Sequence, residues 1–497
     1  MTDTSRPLIA AIDQGTTGTT VLLVDEHDRV VGRGCREIPQ FFPQPGWVEH
    51  DAEAIWTSVL QALAEAQSQA IGTIAAIGIT NQRETVVFWD RANGCAIGRA
   101  IVWQDRRTTE RCEALRKAGH EASVQAATGL VIDPYFSASK IAWTLEHDET
   151  VRQRADAGEL ALGTIDSWLI HRLSGGSAHV TDVSNASRTQ LLDLHTRTWS
   201  PSLCALFGVP TVLLPDVRPS AGIFAKARGI AGMDDGVPIS GAAGDQQAAL
   251  FGQGCTVAGQ AKCTFGTGSF LLMNVGDKPV VSNQRLLSSV GWTTDKAEQT
   301  TYVLEGGAFV CGSLVQWLRD GLGIITKAAE IEGLAASVTS SDGVTIVPAL
   351  TGLGAPHWRP EARGLISGIT RGTTRAHIAR AALEAMALQN VDIVNAMEKD
   401  AGRSLSTLRV DGGAAANNLL MQIQADLLGI EVERPSLLET TALGAARLAA
   451  IGAGLRPYPG AAESSASAVQ MDRFSPTLSP ANRESTVARW RDALNRA

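Results

Sequence analysis

The sequence predicts an α/β protein built as two domains, and three observations carry that reading. The chain has 497 residues, more than one hydrophobic core usually serves. Apolar runs followed by helical stretches occur in two successive sets, the pattern of α/β layers. A strand, a Gly/Thr-rich turn and a second strand also occur twice, at 8–24 and at 262–274.

Taken in order, residues 8–12 are apolar, Asp13-Gln14-Gly15-Thr16-Thr17-Gly18 is a turn, and 20–24 are apolar again. This predicts a β-hairpin. Runs at 74–80 and 85–89 predict strands on either side of the polar Asn81-Gln82-Arg83-Glu84. Residues 56–70 have helical character, and 163–173 read as a short strand entering a helix at Asp166. A strand at 237–240 runs into Gly241-Ala242-Ala243-Gly244-Asp245-Gln246-Gln247 and then a helix. The second hairpin has strands at 262–265 and 270–274 around Gly266-Thr267-Gly268-Ser269. Further strands are expected at 344–349 and 409–410, and helices at 306–318, 375–398, 417–428 and 482–497. The boundary falls near 251–257, giving domains 1–252 and 253–497. The Ala/Ser/Gly/Pro-rich stretch 457–467 reads as a surface connection. The two Gly/Thr turns echo each other loosely, as an old duplication would leave them.

Apolar residues make up 44 % of the chain and charged residues 19 %, a globular balance. The net charge of −8 argues against a nucleic-acid binder, which usually carries a basic face. Neither a signal peptide nor a membrane span is expected. Seven dispersed cysteines without a C-x-x-C pair suggest reduced thiols, mostly buried filler, in a cytoplasmic protein.

The P-loop pattern G-x-x-x-x-G-K-[ST] is missing, and Gly352-x-Gly354 lacks the third glycine of a dinucleotide fingerprint. Phosphate candidates are instead the two hairpin turns, Gly15-Thr16-Thr17 and Gly266-Thr267-Gly268. Glycine lets successive N–H groups approach an anion, and threonine adds hydroxyl donors. Each turn alone also suits an ordinary hairpin. A third turn, Asp411-Gly412-Gly413-Ala414-Ala415-Ala416-Asn417, has room for a base or ribose, and Asn417 can bond a polar edge. It equally suits a plain strand-to-helix turn. Asp13 and Asp245, both at strand ends, can position a metal or accept a proton; each can also cap the following segment.

In combination these segments are much less ambiguous. Asp13-Gln14-Gly15-Thr16-Thr17, Gly78 to Thr85, Gly129 to Ser137, Gly244 to Gly252, Gly266-Thr267-Gly268, Thr351 to Pro356 and Val410-Asp411-Gly412-Gly413 occur in that order. The set closely resembles the glycerol kinases of the FGGY carbohydrate kinase family, over about residues 8–450. The resemblance implies two actin-like (ribonuclease H-like) ATPase domains around a central cleft. It implies transfer of the γ-phosphoryl of Mg·ATP to glycerol, giving sn-glycerol 3-phosphate and ADP. Its glycerol site falls on Arg83, Glu84, Trp103, Tyr135, Asp245, Gln246 and Phe270, with Asp245 as catalytic base. Its nucleotide site falls on Thr16, Thr17, Gly18, Thr20, Thr267, Gly312, Gln316, Gly413 and Asn417, and Mg2+ near Asp13 and Asp245. Glycerol and ATP are the expected partners, in a homo-oligomer. A related polyol or sugar kinase of the family is the alternative. Two departures stand out. Gly18-Thr19-Thr20 replaces the Ser-Ser-Arg of many members, which removes a cation. The loop where some members bind fructose 1,6-bisphosphate looks like Gly229 to Asp235 here, with acids where an anion needs a base.

Overall fold

The computed structural model describes residues 6–294, 300–436, 439–459 and 471–497. Its first hairpin sets the pattern. Strands Pro7–Gln14 and Gly18–Val24 pair antiparallel, with Gln14 opposite Thr19. Alternation sends Leu8, Ala10, Ile12, Val21 and Leu23 to one face and Ile9, Ala11, Leu22 and Val24 to the other. Both faces are covered, which is why these strands read as continuous apolar runs rather than alternating ones.

The hairpin extends into a six-stranded sheet in the order Ala221–Lys226, Pro238–Gly244, Thr73–Asn81, Pro7–Gln14, Gly18–Val24, Val30–Glu37. Thr73–Asn81 runs parallel to both Pro7–Gln14 and Pro238–Gly244. The second hairpin, Ala261–Phe265 with Ser269–Gly276, seeds a seven-stranded sheet of the same plan. Antiparallel strands Thr300–Ala308 and Leu287–Thr293 extend one side. Parallel Thr407–Asp411 and Glu431–Pro435, then antiparallel Met471–Phe474, extend the other. These are two actin-like domains, and the loose echo of the turns is an echo of whole sheets. A five-stranded sheet, which includes Val86–Asp90 and Ala96–Ile101, is added to the first half.

The helix expected over 306–318 is corrected. Residues up to Ala308 complete the strand Thr300–Ala308, and the helix runs Gly312–Asp320. Gly306 and Gly307 belong to the strand because they pair with Leu271 and Phe270, and both positions need glycine because a neighbour occupies the space of each missing side chain. A Cβ on Gly306 would lie 2.4 Å from Ile393, and one on Gly307 would lie 2.9 Å from the Phe270 ring. The remaining expected elements occur with shifted ends, including the helices Arg375–Ala401, Asn418–Leu428 and Pro480–Arg496. Of the expected surface connection, 460–467 lies outside the described residues.

One helix ties the halves together. Thr440–Gly452 lies in sequence between two strands of the second sheet, Glu431–Pro435 and Met471–Phe474, yet it covers the first sheet through Ala442, Leu443, Ala446, Ala449 and Ala450. Glycines permit the approach. A Cβ on Gly444 would meet the Ala248 carbonyl at 1.9 Å, and one on Gly252 would meet the Thr440 carbonyl at 2.0 Å. Those obstacles are backbone, so they cannot turn aside. Gly444→Val should therefore lower the urea midpoint, by about 1–3 kcal/mol of stability or more. Gly333, exposed in the helix Glu330–Ala336 with open space around it, is the control. Gly333→Ala should leave the midpoint unchanged or raise it.

Candidate functional site

Two strand ends of the first sheet carry the carboxylates. Asp13 lies near the end of Pro7–Gln14, and Asp245 opens the helix Asp245–Gly252 directly after Pro238–Gly244. Asp245 is 33 % exposed, and its Oδ1 accepts the Gln246 N–H at 2.7 Å. Burial, and then the Asp245 charge, push the Asp13 carboxyl from 3.8 up to about 7. Two carboxylates that resist sharing their negative charge are a donor set suited to a divalent cation. Among the described residues no cluster of three or more His, Cys, Asp or Glu side chains forms such a site. Mg2+ bound with a nucleotide uses one or two carboxylates plus phosphate oxygens, so the pair fits it.

Arg83 and Glu84 occupy the link between Thr73–Asn81 of the six-stranded sheet and Val86–Asp90 of the five-stranded one. Glu84 has φ +61°, a strained conformation that persists only where the surroundings enforce it. The Glu84 carbonyl accepts Ser137 Oγ at 2.9 Å. The Arg83 guanidinium is 3 % exposed, and both its terminal nitrogens are hydrogen-bonded. NH1 donates to Glu305 Oε2 at 2.6 Å and Gln247 Oε1 at 3.2 Å. NH2 donates to Glu305 Oε1 at 2.9 Å and the Tyr135 hydroxyl at 3.3 Å. Nε lies 3.2 Å from Asp245 Oδ1. A second buried arginine, Arg188, donates from Nε to Glu84 Oε1 at 2.7 Å. Burial raises the Glu84 carboxyl above its ordinary value, against the pull of Arg188 and Arg83. Burial would raise Glu305 too, but Arg188 and Arg83 prevail and hold it at about 2.

An aromatic wall adjoins this network. Tyr135 meets Trp103 edge-on, ring centroids 5.5 Å apart, and the Trp103 indole N–H donates to Thr16 Oγ1 at 2.9 Å. One chain of contacts thus joins Thr16, Trp103, Tyr135, Arg83, Glu84 and Asp245. Phe270 comes from the second sheet, where it pairs with Thr264 and Gly307. Gln246 Oε1 accepts Lys262 Nζ, from that same sheet.

The nucleotide candidates fall into two groups. Thr267, Gly312, Gln316, Gly413 and Asn417 line one cavity of about 490 Å³ in the second half. Its floor is rigid: Gly312 N–H donates to the Gly266 carbonyl at 2.9 Å and Cys311 N–H to that of Thr267 at 2.8 Å. Gly412 has φ +88°, and a Cβ there would lie 2.5 Å from the Phe265 carbonyl, so the third turn needs glycine. Asn417 does cap its helix, its Oδ1 accepting the Leu420 N–H at 2.8 Å, which leaves Nδ2 for a ligand. Thr16 and Thr17 lie instead in the first hairpin turn and Gly18 opens the strand after it, its carbonyl accepting the Gly15 N–H at 2.8 Å. Thr20 is a strand residue directly opposite both Asp13 and Cys35, and opposed residues share a sheet face.

Sequence reasoning did not single out Glu305, Lys262, Arg188 or Gln247. The available signal was a lone charge inside an apolar strand, as in Tyr302-Val303-Leu304-Glu305 and Ala261-Lys262-Cys263. Fully buried charges are rare unless paired.

Residues 8–252 match the N-terminal domain, and 261–453 the C-terminal domain, of the FGGY family of carbohydrate kinases. The chain is 52 % identical over 492 residues to the glycerol kinase of Myxococcus xanthus (strain DK1622), covering 98 % of this chain and 99 % of that one. It is 54 % identical over 502 residues to the glycerol kinase of Dechloromonas aromatica (strain RCB), covering 100 % and 99 %. The crystal structure of Plasmodium falciparum glycerol kinase with ADP matches at TM-score 0.93 and 34 % identity, over 99 % of this chain and 98 % of that one.

The raised Asp13 value makes a pH prediction. Between the ordinary value of 3.8 and about 7, the folded state keeps a proton that the unfolded state has released. Stability from this group is full below the lower value and is lost as pH rises through the upper one. The urea midpoint of the ligand-free protein should fall between about pH 5 and about pH 8, and Asp13→Asn should flatten that slope. A slope that Asp13→Asn leaves untouched would place the pH dependence on other groups.

Proposed function

Because this chain belongs to the FGGY family of carbohydrate kinases, we propose that it is an ATP:glycerol 3-phosphotransferase. It moves the γ-phosphoryl of Mg·ATP to a primary hydroxyl of glycerol, giving sn-glycerol 3-phosphate and ADP. The observation that carries the reading is the joining of Arg83, Glu84, Tyr135, Asp245 and Trp103 into one contact chain. Full-length likeness to glycerol kinases supports it.

Glycerol offers three hydroxyls on a short carbon chain. Glu84 has Oε1 committed to Arg188, and Oε2 accepts from the polyol. NH1 and NH2 of Arg83 each donate two hydrogen bonds within the protein, so a substrate oxygen takes the place of the longest of these bonds, the 3.3 Å contact to Tyr135. Trp103 and Phe270 pack against the carbons. Asp245 takes the proton of the attacking hydroxyl, and Arg83 Nε at 3.2 Å fixes the carboxylate's orientation. Asp13 and Asp245 hold Mg2+, which supplies charge neutralisation at the transferring phosphoryl group. Thr16, Thr17, Gly18 and Thr20 face the phosphates from the first half, and Thr267 from the second. Gly312, Gln316, Gly413 and Asn417 hold the nucleoside end, in the cavity they line. Thr20 supplies a neutral hydroxyl where many relatives carry arginine, so backbone N–H groups bear more of the phosphate charge. The Gly229–Asp235 loop is committed to its own turn, with Asp235 Oδ1 accepting the Gly229 N–H at 2.7 Å, and it does not serve a bisphosphate. The enzyme works in the cytoplasm as a homo-oligomer; all seven cysteines are unpaired, which suits a reducing compartment. No helix among the described residues is long and apolar enough to cross a membrane.

Coupled ADP release across a panel of polyols and sugars should give glycerol the highest kcat/KM, with turnover abolished by EDTA. A higher value for another polyol would replace the substrate assignment. Asp245→Asn keeps the shape but cannot take a proton. It should lower kcat by about 10²–10⁴-fold, equivalent to about 3–5 kcal/mol of barrier, while ATP still binds. Near wild-type kcat would leave Asp245 only its place at the start of the helix.

A further inference from the structure

The polyol-facing side chains Arg83 and Gln246 belong to the first half, yet each is held from behind by a buried charge of the second. The two holders lie in one row. On the seven-stranded sheet, Lys262 pairs with Leu272, Leu272 with Glu305, and Glu305 with Leu287. Paired residues share a face. Leu272 shows which way the row looks, because it packs with Ala243, Ala248, Leu250 and Phe251 of the first half. Lys262 and Glu305 therefore face the first half, and Phe270, two residues before Leu272, joins them on that face.

Their bonds are specific. Glu305, 1 % exposed, grips the Arg83 guanidinium with both oxygens, at 2.6 and 2.9 Å. Its Oε1 also accepts Arg188 NH2 at 3.3 Å, and Arg188 in turn holds Glu84. Lys262, fully buried, donates to Thr264 Oγ1 at 2.7 Å and to Gln246 Oε1. Buried ions are costly to desolvate, and apolar residues of similar volume often serve a fold as well or better.

We propose that Glu305 and Lys262 are positioning residues, through which the second half sets Arg83 and Gln246 for the polyol. Glu305 keeps the forked end of Arg83 away from Asp245, leaving only Nε at 3.2 Å to that carboxylate. Without the grip, the fork can swing onto Asp245 and tie up the proton acceptor in a two-pronged ion pair. Lys262 has only donors, so it fixes Gln246 with Oε1 inward and Nε2 outward. Gln246 then presents an N–H to a hydroxyl oxygen. Both holders sit on the second sheet, so the polyol site is complete only when that sheet is seated against the first half.

This inference rests on the glycerol kinase reading, and the experiment separates the two. Full-length Glu305→Gln and Lys262→Met are assayed for glycerol KM, ATP KM and kcat, and for ADP binding without glycerol. Each should raise glycerol KM by about tenfold or more, with the ADP Kd held within about twofold. Glu305→Asp and Lys262→Arg, which keep the charges, should recover part of the loss. A purely structural role would move glycerol KM and ADP Kd together, and that result, or an unchanged glycerol KM, would overturn the proposal. If Glu305→Gln does not fold, Lys262→Met decides on the same split. Wild-type protein inactive toward glycerol would sink the kinase assignment; active wild type with unaffected variants sinks this inference alone.

Discussion

A guanidinium buried where two sheets meet must find acceptors for five N–H groups, and much of the site's geometry follows from how Arg83 does so. Water cannot serve a group that is 3 % exposed, and an unpaired buried donor is expensive. Glu305 takes two bonds, Gln247 and Tyr135 one each, and Asp245 faces the remaining Nε. The first and last of these belong to different sheets, so satisfying one side chain fixes the distance between the halves. It also fixes where the Tyr135 ring stands, and through Trp103 where Thr16 stands. The first Gly/Thr turn is thus tied to the Arg83 cluster by hydrogen bonds and ring contacts.

How much of this could be read from the chain depended on the range of the interaction. The hairpins were legible because glycine-rich turns between apolar runs are local signals. Thr267 and Asn417 stood out through their glycine-rich turns, but Gly312 and Gln316, which line the same cavity, were legible only through resemblance, since no local signal marks them. The misplaced helix shows the limit from the other side. Residues 306–308 have no local reason to be extended; they are extended because Leu271 and Phe270 pair with Gly306 and Gly307. Glu305 and Lys262 are similar cases. Each is a single charge in an apolar strand, and the partner that explains it lies 222 residues away for Glu305 and on the helix Asp245–Gly252 of the first half for Lys262. A charge in a buried run announces that some partner exists without saying which.

The two sheets also show how one plan acquired two kinds of chemistry. Asp13 stands two residues before the first Gly/Thr turn, paired with Thr80 on the parallel neighbour. Thr264 stands two residues before the second turn, paired with Asp411. The acid and the threonine have exchanged places between the hairpin strand and its neighbour. That exchange changes what the acid can do. Asp13 is half-buried, and burial first, then the Asp245 charge, raise its proton affinity. Asp411 is 2 % exposed, and its Oδ2 is already committed to Gln253, at 2.7 Å, and to Thr440. Thr440 begins the helix that crosses to the first sheet. The carboxylate of the second half is therefore committed to Gln253 and to the helix that joins the halves, while that of the first has no such hydrogen-bonded commitment among the described residues. Had both acids kept the hairpin position, the cleft would gather three carboxylates with Asp245, and Lys262 would lose the hydroxyl that helps hold it against Gln246. Moving one acid by a single strand leaves the first half's carboxylate beside Asp245 and the second half's carboxylate within the join between the halves.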